Sequence, residues 1–185
     1  RSQFRAVAGA VHKVSKRRIV IDDNGGATLT GIRAKVRRLA KRANLQLVVI
    51  DYLQLINSAG RRENRNVEVS DISRGIKAMA SELQLPVICL SQLNRAVENR
   101  PDNRPRMSDL RDSGSIEQDA DVVLLLHRED YYHAGDPKWA DENQDKVGIA
   151  EVIVAKQRNG RTGVARLKWN APRGRFEHLY QGAFA

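Results

Sequence analysis

The run LVVIDYLQLI, residues 47–56, gives the first indication of the fold. Its first half is β-branched and apolar, which is typical of a strand buried on both faces of a parallel sheet. The run of strand-forming residues ends at Asp51, and a carboxylate is costly to bury unless something compensates its charge. Two interpretations of Asp51 are open at this point: it caps a turn, or it meets a metal ion.

Strand-like and helix-like segments alternate outward from this run. Apolar residues recur at helical spacing between residues 32 and 43 and again between residues 69 and 83, which predicts two amphipathic helices. Further apolar runs predict strands at residues 18–23, 86–92, 121–128 and 149–157. The alternation predicts a single α/β domain with a mostly parallel sheet flanked by helices. Gly-containing turns between the last runs predict antiparallel strands at the C-terminal edge.

The charge balance favours a polyanionic partner. The chain has 185 residues, of which 32 are basic and 22 acidic, so its formal net charge is +10. Such an excess favours a nucleic acid or a nucleotide over a neutral ligand, although basic residues also keep surfaces soluble.

Cysteine content and hydropathy exclude several classes of protein. Cys89 is the single cysteine, which excludes an internal disulfide and a cysteine-based zinc cluster and fits a reducing cytosol. No apolar run approaches the roughly 18 residues that a membrane span needs, and the N-terminus has no signal-peptide pattern. We therefore expect a cytoplasmic protein with no membrane partner. Because the sequence starts at Arg1 rather than Met, we also expect a fragment or a processed product.

Two long polar connections, residues 57–68 and 94–118, follow the carboxyl ends of predicted strands. Ligands of open α/β sheets bind at that edge, so these connections are candidates for function. The second connection lacks aromatic residues, which argues against base stacking and favours contacts to phosphate and sugar. The alternative is a solvated, disordered basic loop. The arginines that suggest phosphate contact are Arg95, Arg100, Arg104, Arg106 and Arg111.

Polar residues at three predicted strand ends suit nucleotide chemistry. Phosphate-binding α/β enzymes hold Mg²⁺ with a carboxylate in the position of Asp51. Gln92 ends the next strand, where its amide can donate to a γ-phosphate or simply complete a strand terminus. Lys156 and Arg158 come before a turn, where two cations can neutralise transferring phosphates or form a solvated hairpin tip.

Four longer segments carry a more specific signal. They are VVIDYLQLI, EVSDISRGIKAMASELQLPVICLSQLNR, RPRMSDLRDSGSIEQDADVVLLLHREDYY and AKQRNGRTG. In this order they resemble the RecA-like C-terminal motor domain of the DnaB family of bacterial replicative DNA helicases, over residues 18–179. The resemblance implies a ring-shaped homohexamer that uses ATP and Mg²⁺ to translocate along single-stranded DNA and unwind the duplex. It also implies a primase and a helicase loader as partners.

The resemblance assigns roles at the nucleotide. Asp51 matches the Walker B aspartate, which holds Mg²⁺ through water. Gln92 matches the residue that reports the state of the γ-phosphate to the DNA loops. Lys156 and Arg158 match a basic pair that reaches the nucleotide of the neighbouring subunit, with Arg158 as the arginine finger.

The resemblance also assigns a DNA-contacting loop to Arg111, Asp112 and Gly114. Arg111 would contact phosphate, and Gly114 would let the backbone approach the strand closely. A carboxylate repels a neighbouring phosphate unless it pairs with a basic side chain. We therefore expect Asp112 to orient an arginine.

One departure from the family pattern concerns the phosphates. No G-x-x-x-x-G-K-[ST] occurs in the 185 residues, so the loop that cradles the phosphates in this family is absent from them. The resemblance therefore implies that residues 1–185 are the C-terminal two-thirds of one motor domain, inactive by themselves. A non-catalytic nucleic-acid-binding or assembly module on the same fold is the alternative, and a RecA-type recombinase is a weaker one.

Overall fold

The computed structural model describes residues 2–57 and 65–179, with the backbone alone for Ser2, Gln3, Arg65 and residues 111–114. The helices are α1 (Ser2–Ser15), α2 (Leu29–Ala43), α3 (Arg65–Leu83), α4 (Gly114–Asp119), α5 (Glu129–Tyr132) and α6 (Pro137–Glu142). The strands are β1 (Val48–Ile50), β2 (Val87–Cys89), β3 (Val122–His127), β4 (Ile149–Gln157), β5 (Gly163–Asn170) and β6 (Arg175–His178). Short 3₁₀ helices lie at Leu53–Leu55, Arg95–Asn99, Met107–Ser113 and Ala171–Arg173. None of the helices described is long and apolar enough to cross a membrane.

Several predicted elements are confirmed. The helical pattern of residues 32–43 lies within α2, whose first turn is capped by the Thr28 hydroxyl accepting from the Gly31 N–H. The second predicted helix is α3, which ends before Pro86. The run at residues 149–157 forms β4 over the whole predicted range, and β4, β5 and β6 pair antiparallel as expected.

The strands form two separate sheets, which corrects the prediction of a mostly parallel sheet. β1 and β2 pair in parallel, with Ile50 opposite Cys89. β3 pairs antiparallel with β4, so among the described strands the order of the second sheet is β3-β4-β5-β6. An apolar run favours a strand but fixes neither the direction of the neighbouring strand nor burial on both faces, since Val49 of β1 and Leu124 of β3 are 58% and 56% exposed.

The strand predicted at residues 18–23 is wrong for the structure described here. These residues form no regular secondary structure and pair with no strand among the described residues. Ile19, Val20 and Ile21 are 64%, 59% and 83% exposed. A local apolar pattern favours extended backbone, whereas a strand also needs a partner for its hydrogen bonds.

Two hydrophobic clusters lie beside the two sheets, and helix α3 contributes to the first of them. The first cluster consists of Ile50, Leu53, Ile56, Val69, Ile72 and Ile76. The second consists of Leu110, Val123 and Leu125. Ile116 of α4 packs against both clusters, and the Ser73 hydroxyl of α3 donates to Asp119 at 2.7 Å. The carboxyl ends of β1 and β2, and the segment that precedes α4, are therefore attached to one helix.

Candidate nucleotide and DNA site

Asp51 and Gln92 lie at the same edge of the parallel sheet. Asp51 follows β1 directly, and Gln92 is the third residue after β2. The pairing continues past the strand ends, since the Leu90 N–H donates to the Ile50 carbonyl at 2.9 Å. Both Asp51 and Gln92 are exposed. The structure therefore presents an open carboxylate and an open amide at the edge where α/β proteins bind nucleotides.

Gln54, in the 3₁₀ helix after β1, holds the backbone at Gln92. Its Nε2 donates to the Ser91 hydroxyl at 3.0 Å and to the Gln92 carbonyl at 3.3 Å. The Gln92 N–H donates back to Gln54 Oε1 at 3.2 Å. Sequence reasoning missed this residue, for which the signal is a polar side chain inside the otherwise apolar turn LQL. These three hydrogen bonds hold the carboxyl ends of β1 and β2 together.

The donor set at this edge fits Mg²⁺ shared with a nucleotide. Within residues 2–57 and 65–179, no group of three or more His, Cys, Asp or Glu side chains forms a metal cage. Mg²⁺ commonly binds one or two carboxylates and completes its shell with waters and substrate phosphates. Asp51 makes no ion pair with any described residue, so its carboxylate is available as that protein ligand.

Lys156 and Arg158 lie at the end of β4, beside the start of β3. Lys156 Nζ donates to the Glu117 carbonyl at 2.6 Å, in the last turn of α4. Arg158 Nη1 lies 3.1 Å from Asp121 Oδ1, and the Arg158 N–H donates to the Asp121 carbonyl at 2.9 Å. In the part of the chain that is described, no hydrogen bond or ion pair joins either cation to the edge that carries Asp51.

Asp121 is an acidic residue of this site that sequence reasoning also missed. The Lys77 ammonium donates to it and lowers the pKa of its carboxyl, and the charges of Arg158 and Lys156 add to this effect. The carboxylate is therefore ionised at neutral pH and attracts Arg158. Both side chains of the Arg158–Asp121 pair are about half exposed, so the pair is weak and can exchange for another anion.

The predicted DNA loop is more structured than the sequence indicated. Residues 94–118, predicted as a long polar connection, contain two 3₁₀ helices and most of α4. The backbone of Arg111 and Asp112 lies in the second 3₁₀ helix, and Gly114 begins α4. The side chains of Arg111 and Asp112 lie outside the described part of the structure, so the DNA contacts of Arg111, Asp112 and Gly114 stay a prediction.

Three of the five arginines predicted to bind phosphate are held by carboxylates of this chain. A count of basic residues alone overstates the charge that is open to DNA, because two acids of the same connection and one acid of β4 pair with these arginines. The remaining arginine with a described side chain, Arg95, is exposed. The three ion pairs are Arg100–Asp109, Arg104–Glu151 and Arg106–Asp102.

Comparison with known proteins decides the family. A family model described as "DnaB-like helicase C terminal domain" matches residues 1–178. The chain belongs to this DnaB-like family. It is 49% identical over 171 residues to the replicative DNA helicase DnaB of Geobacillus stearothermophilus, covering 92% of this chain and 36% of that relative. The identity to the replicative DNA helicase DnaC of Bacillus subtilis is also 49%, with the same shares covered.

Solved structures share the fold. One of them, described as an ATPase domain, superposes with a TM-score of 0.86 at 40% identity, over 96% of this chain and 60% of that one. A DnaB-like replicative helicase, described with its interactions with primase, gives a TM-score of 0.84 at 40% identity, over 94% of this chain and 41% of that one. The fold is thus that of helicase ATPase domains of the RecA-like type. The chain spans about a third of the length of the curated relatives above.

Proposed function

We propose that this chain is part of the motor of a replicative DNA helicase, which hydrolyses ATP to move along single-stranded DNA and unwind the duplex during replication. The observation that carries the proposal is the open pair Asp51 and Gln92 at one sheet edge, in a chain of the DnaB-like family. The names of the relatives support it, since they are replicative DNA helicases.

The family resemblance suggests the roles of the nucleotide-site residues, and the chemistry of their side chains fits those roles. Bound MgATP supplies the phosphoanhydride bond whose hydrolysis drives movement. Asp51 would hold the Mg²⁺ through water, and Gln92 would donate its amide to the γ-phosphate. Lys156 and Arg158 would reach the nucleotide of the neighbouring subunit in a homohexamer. Within one chain, Lys156 and Arg158 contact Glu117 and Asp121 beside the other sheet and not the edge that carries Asp51, which supports this arrangement.

The DNA partner follows from charge and from the loop. Arg111 and Gly114 would contact the sugar–phosphate backbone of single-stranded DNA, and Asp112 would orient an arginine. A primase partner is supported by the structural neighbour described with primase, and a helicase loader is expected for the same class of motor. The proposal places the protein in the cytoplasm. Residues 1–185 would form one unit, the C-terminal two-thirds of a RecA-like motor domain.

The isolated 185-residue chain should not hydrolyse ATP measurably. Mg²⁺ and an arginine finger stabilise charge on phosphates that the G-x-x-x-x-G-K-[ST] loop normally cradles, and that motif does not occur in these residues. Steady turnover by purified chain, free of contaminating ATPase, would contradict the assignment of Asp51 and Arg158 to a site that needs this loop.

Unwinding of a forked DNA by a full-length protein that carries these residues tests the proposed function. We expect strand separation with MgATP and none with a non-hydrolysable ATP analogue. Binding of single-stranded DNA without ATP-dependent unwinding would favour the alternative, a non-catalytic nucleic-acid-binding module.

A further inference from the structure

A buried carboxylate, Asp109, organises the loop between Gln92 and Arg111. Its side chain is 3% exposed, although it lies in a polar segment. Arg100 donates to both carboxylate oxygens, to Oδ2 through Nη1 at 2.9 Å and to Oδ1 through Nη2. The Arg106 N–H donates to Oδ2 at 2.6 Å. A bidentate, charge-assisted pair of this kind fixes orientation as well as distance.

The same residue joins the two functional segments through its backbone. The Asn94 N–H donates to the Asp109 carbonyl at 3.0 Å. Asn94 lies two residues after Gln92, and Asp109 lies two residues before Arg111. The nucleotide-side strand end and the DNA-side segment are therefore one hydrogen bond apart, although a long loop separates them in sequence.

Packing on both sides makes this connection stiff. Leu110, next to Asp109, is 7% exposed and packs in the cluster of Val123 and Leu125. Val97, in the 3₁₀ helix after Asn94, is 4% exposed. Arg100 also donates to the Arg104 carbonyl at 3.1 Å and so closes the intervening turn. Packed segments absorb little displacement, so this connection is suited to carry a backbone shift at Gln92 to the segment before Arg111.

We propose that Asp109 is a positioning residue that couples the state of the nucleotide at Gln92 to the grip of Arg111–Gly114 on DNA. The inference rests on the proposed function and names the residue that links its two sites. Arg100 serves as the partner that keeps the Asp109 carboxylate in place. Neither residue contacts nucleotide or DNA in this account, so their effect is on the coupling between the two sites.

The test uses the full-length hexamer with the variant Asp109→Asn, which keeps the shape of the side chain and removes its charge. The measurement is the affinity for single-stranded DNA with a non-hydrolysable ATP analogue and with ADP. In the wild-type protein the two affinities should differ by at least about fivefold. The variant should bring their ratio close to one. A role limited to stability would weaken both affinities together and leave the ratio unchanged.

A matched control removes another carboxylate that is held by arginine. Glu82 of α3 accepts from Arg33 and Arg37, away from the loop. Glu82→Gln should therefore keep the wild-type ratio of affinities. If Asp109→Asn fails to fold, Arg100→Lys is the deciding variant. It keeps the charge at a side chain that is 24% exposed and loses the guanidinium geometry that holds Asp109 and the Arg104 carbonyl.

The outcomes separate the inference from the proposed function. A wild-type hexamer that neither hydrolyses ATP nor binds single-stranded DNA would overturn the proposed function. A wild-type hexamer with a clear affinity ratio, together with folded Asp109→Asn or Arg100→Lys hexamers that keep that ratio, would overturn the coupling role alone.

Discussion

The two pairs of residues expected at a nucleotide are held in different ways. Asp51 and Gln92 are exposed at neighbouring strand ends and are backed by Gln54. Lys156 and Arg158 lie on the other sheet and are engaged by α4 and Asp121. The difference fits our proposal that the first pair serves the nucleotide of its own chain and the second pair serves that of a neighbouring subunit. The exposed Arg158–Asp121 ion pair is weak enough to exchange for a phosphate.

The largest expected effect is at Asp51. Asp51→Asn in the full-length protein should lower ATP turnover by about 10³-fold or more, because a neutral amide does not hold the Mg²⁺ that stabilises phosphate charge. The free energy of unfolding should change by less than about 0.5 kcal/mol, since the residue is exposed. Turnover assays and thermal unfolding measure the two effects. Asp141→Asn, an exposed carboxylate of α6, is the control, and a near-wild-type rate for Asp51→Asn would remove Asp51 from the metal site.

The next largest effect is expected at Arg158, the proposed arginine finger. Arg158→Ala should lower turnover by a factor on the order of 10³, with little change in nucleotide affinity, because the guanidinium acts on charge in the transition state. Steady-state kinetics and nucleotide binding separate these effects. Arg161→Ala, an exposed arginine in the same turn, provides the comparison. Equal losses in the two variants would show that general basicity, and not a finger, is needed there.

A smaller effect is expected on DNA binding. The affinity for single-stranded DNA falls as salt concentration rises. On a plot of log affinity against log salt concentration, Arg111→Ala should make this fall less steep, by about 0.7 in slope for each lost phosphate contact. Arg38→Ala is the control, because Arg38 of α2 is exposed, whereas its neighbour Arg37 pairs with Glu82. The loop assignment is wrong if the Arg38→Ala change alters the slope and the Arg111→Ala change does not.

The smallest effect is a pH dependence at Asp109. The Arg100 guanidinium, with the Arg106 N–H, holds the pKa of this carboxyl below its ordinary value of 3.8. The Asp109 carboxyl thus holds its proton less tightly in the folded state than in the unfolded state. The Arg100–Asp109 pair therefore stabilises the folded protein fully at a pH above the ordinary pKa of 3.8. The stability is lost as the pH falls through the lowered pKa. The difference in melting temperature between wild type and Asp109→Asn should therefore shrink below about pH 4, and a constant difference would contradict the ionised pair.

The elements with a strong local signal were predictable from the sequence. α2 and α3 show helical spacing, and β4 is bounded by polar turns, so local pattern alone places them. The segment 18–23 shows the limit of this reasoning. Ile19, Val20 and Ile21 are residue types that favour strands, but they are exposed and pair with no strand among the described residues. The direction of β3 was equally hidden, because its continuous apolar run is typical of a parallel strand, whereas β3 pairs antiparallel and alternate residues of it are exposed.

The site was only partly predictable for a related reason. Asp51 and Gln92 follow apolar runs, so their position at a strand end can be read locally. The partners of the charged residues cannot, because ion pairs such as Arg104–Glu151 and Arg158–Asp121 join segments that are distant in sequence. Asp109 was missed for a different reason: its partner Arg100 is close in sequence, but nothing in RMSDLRD shows that the Asp109 carboxylate is buried.

Mixing two inactive variants tests most directly whether the two pairs act at different nucleotides. Asp51→Asn and Arg158→Ala subunits of the full-length protein are unfolded, combined in equal amounts and reassembled. If Arg158 acts on the neighbour's nucleotide, some interfaces combine an intact Asp51 with an intact Arg158, and ATP turnover returns to about one quarter of the wild-type rate for random mixing. If both residues serve the same subunit's nucleotide, no intact site can form. A mixture as inactive as either variant alone would contradict the account.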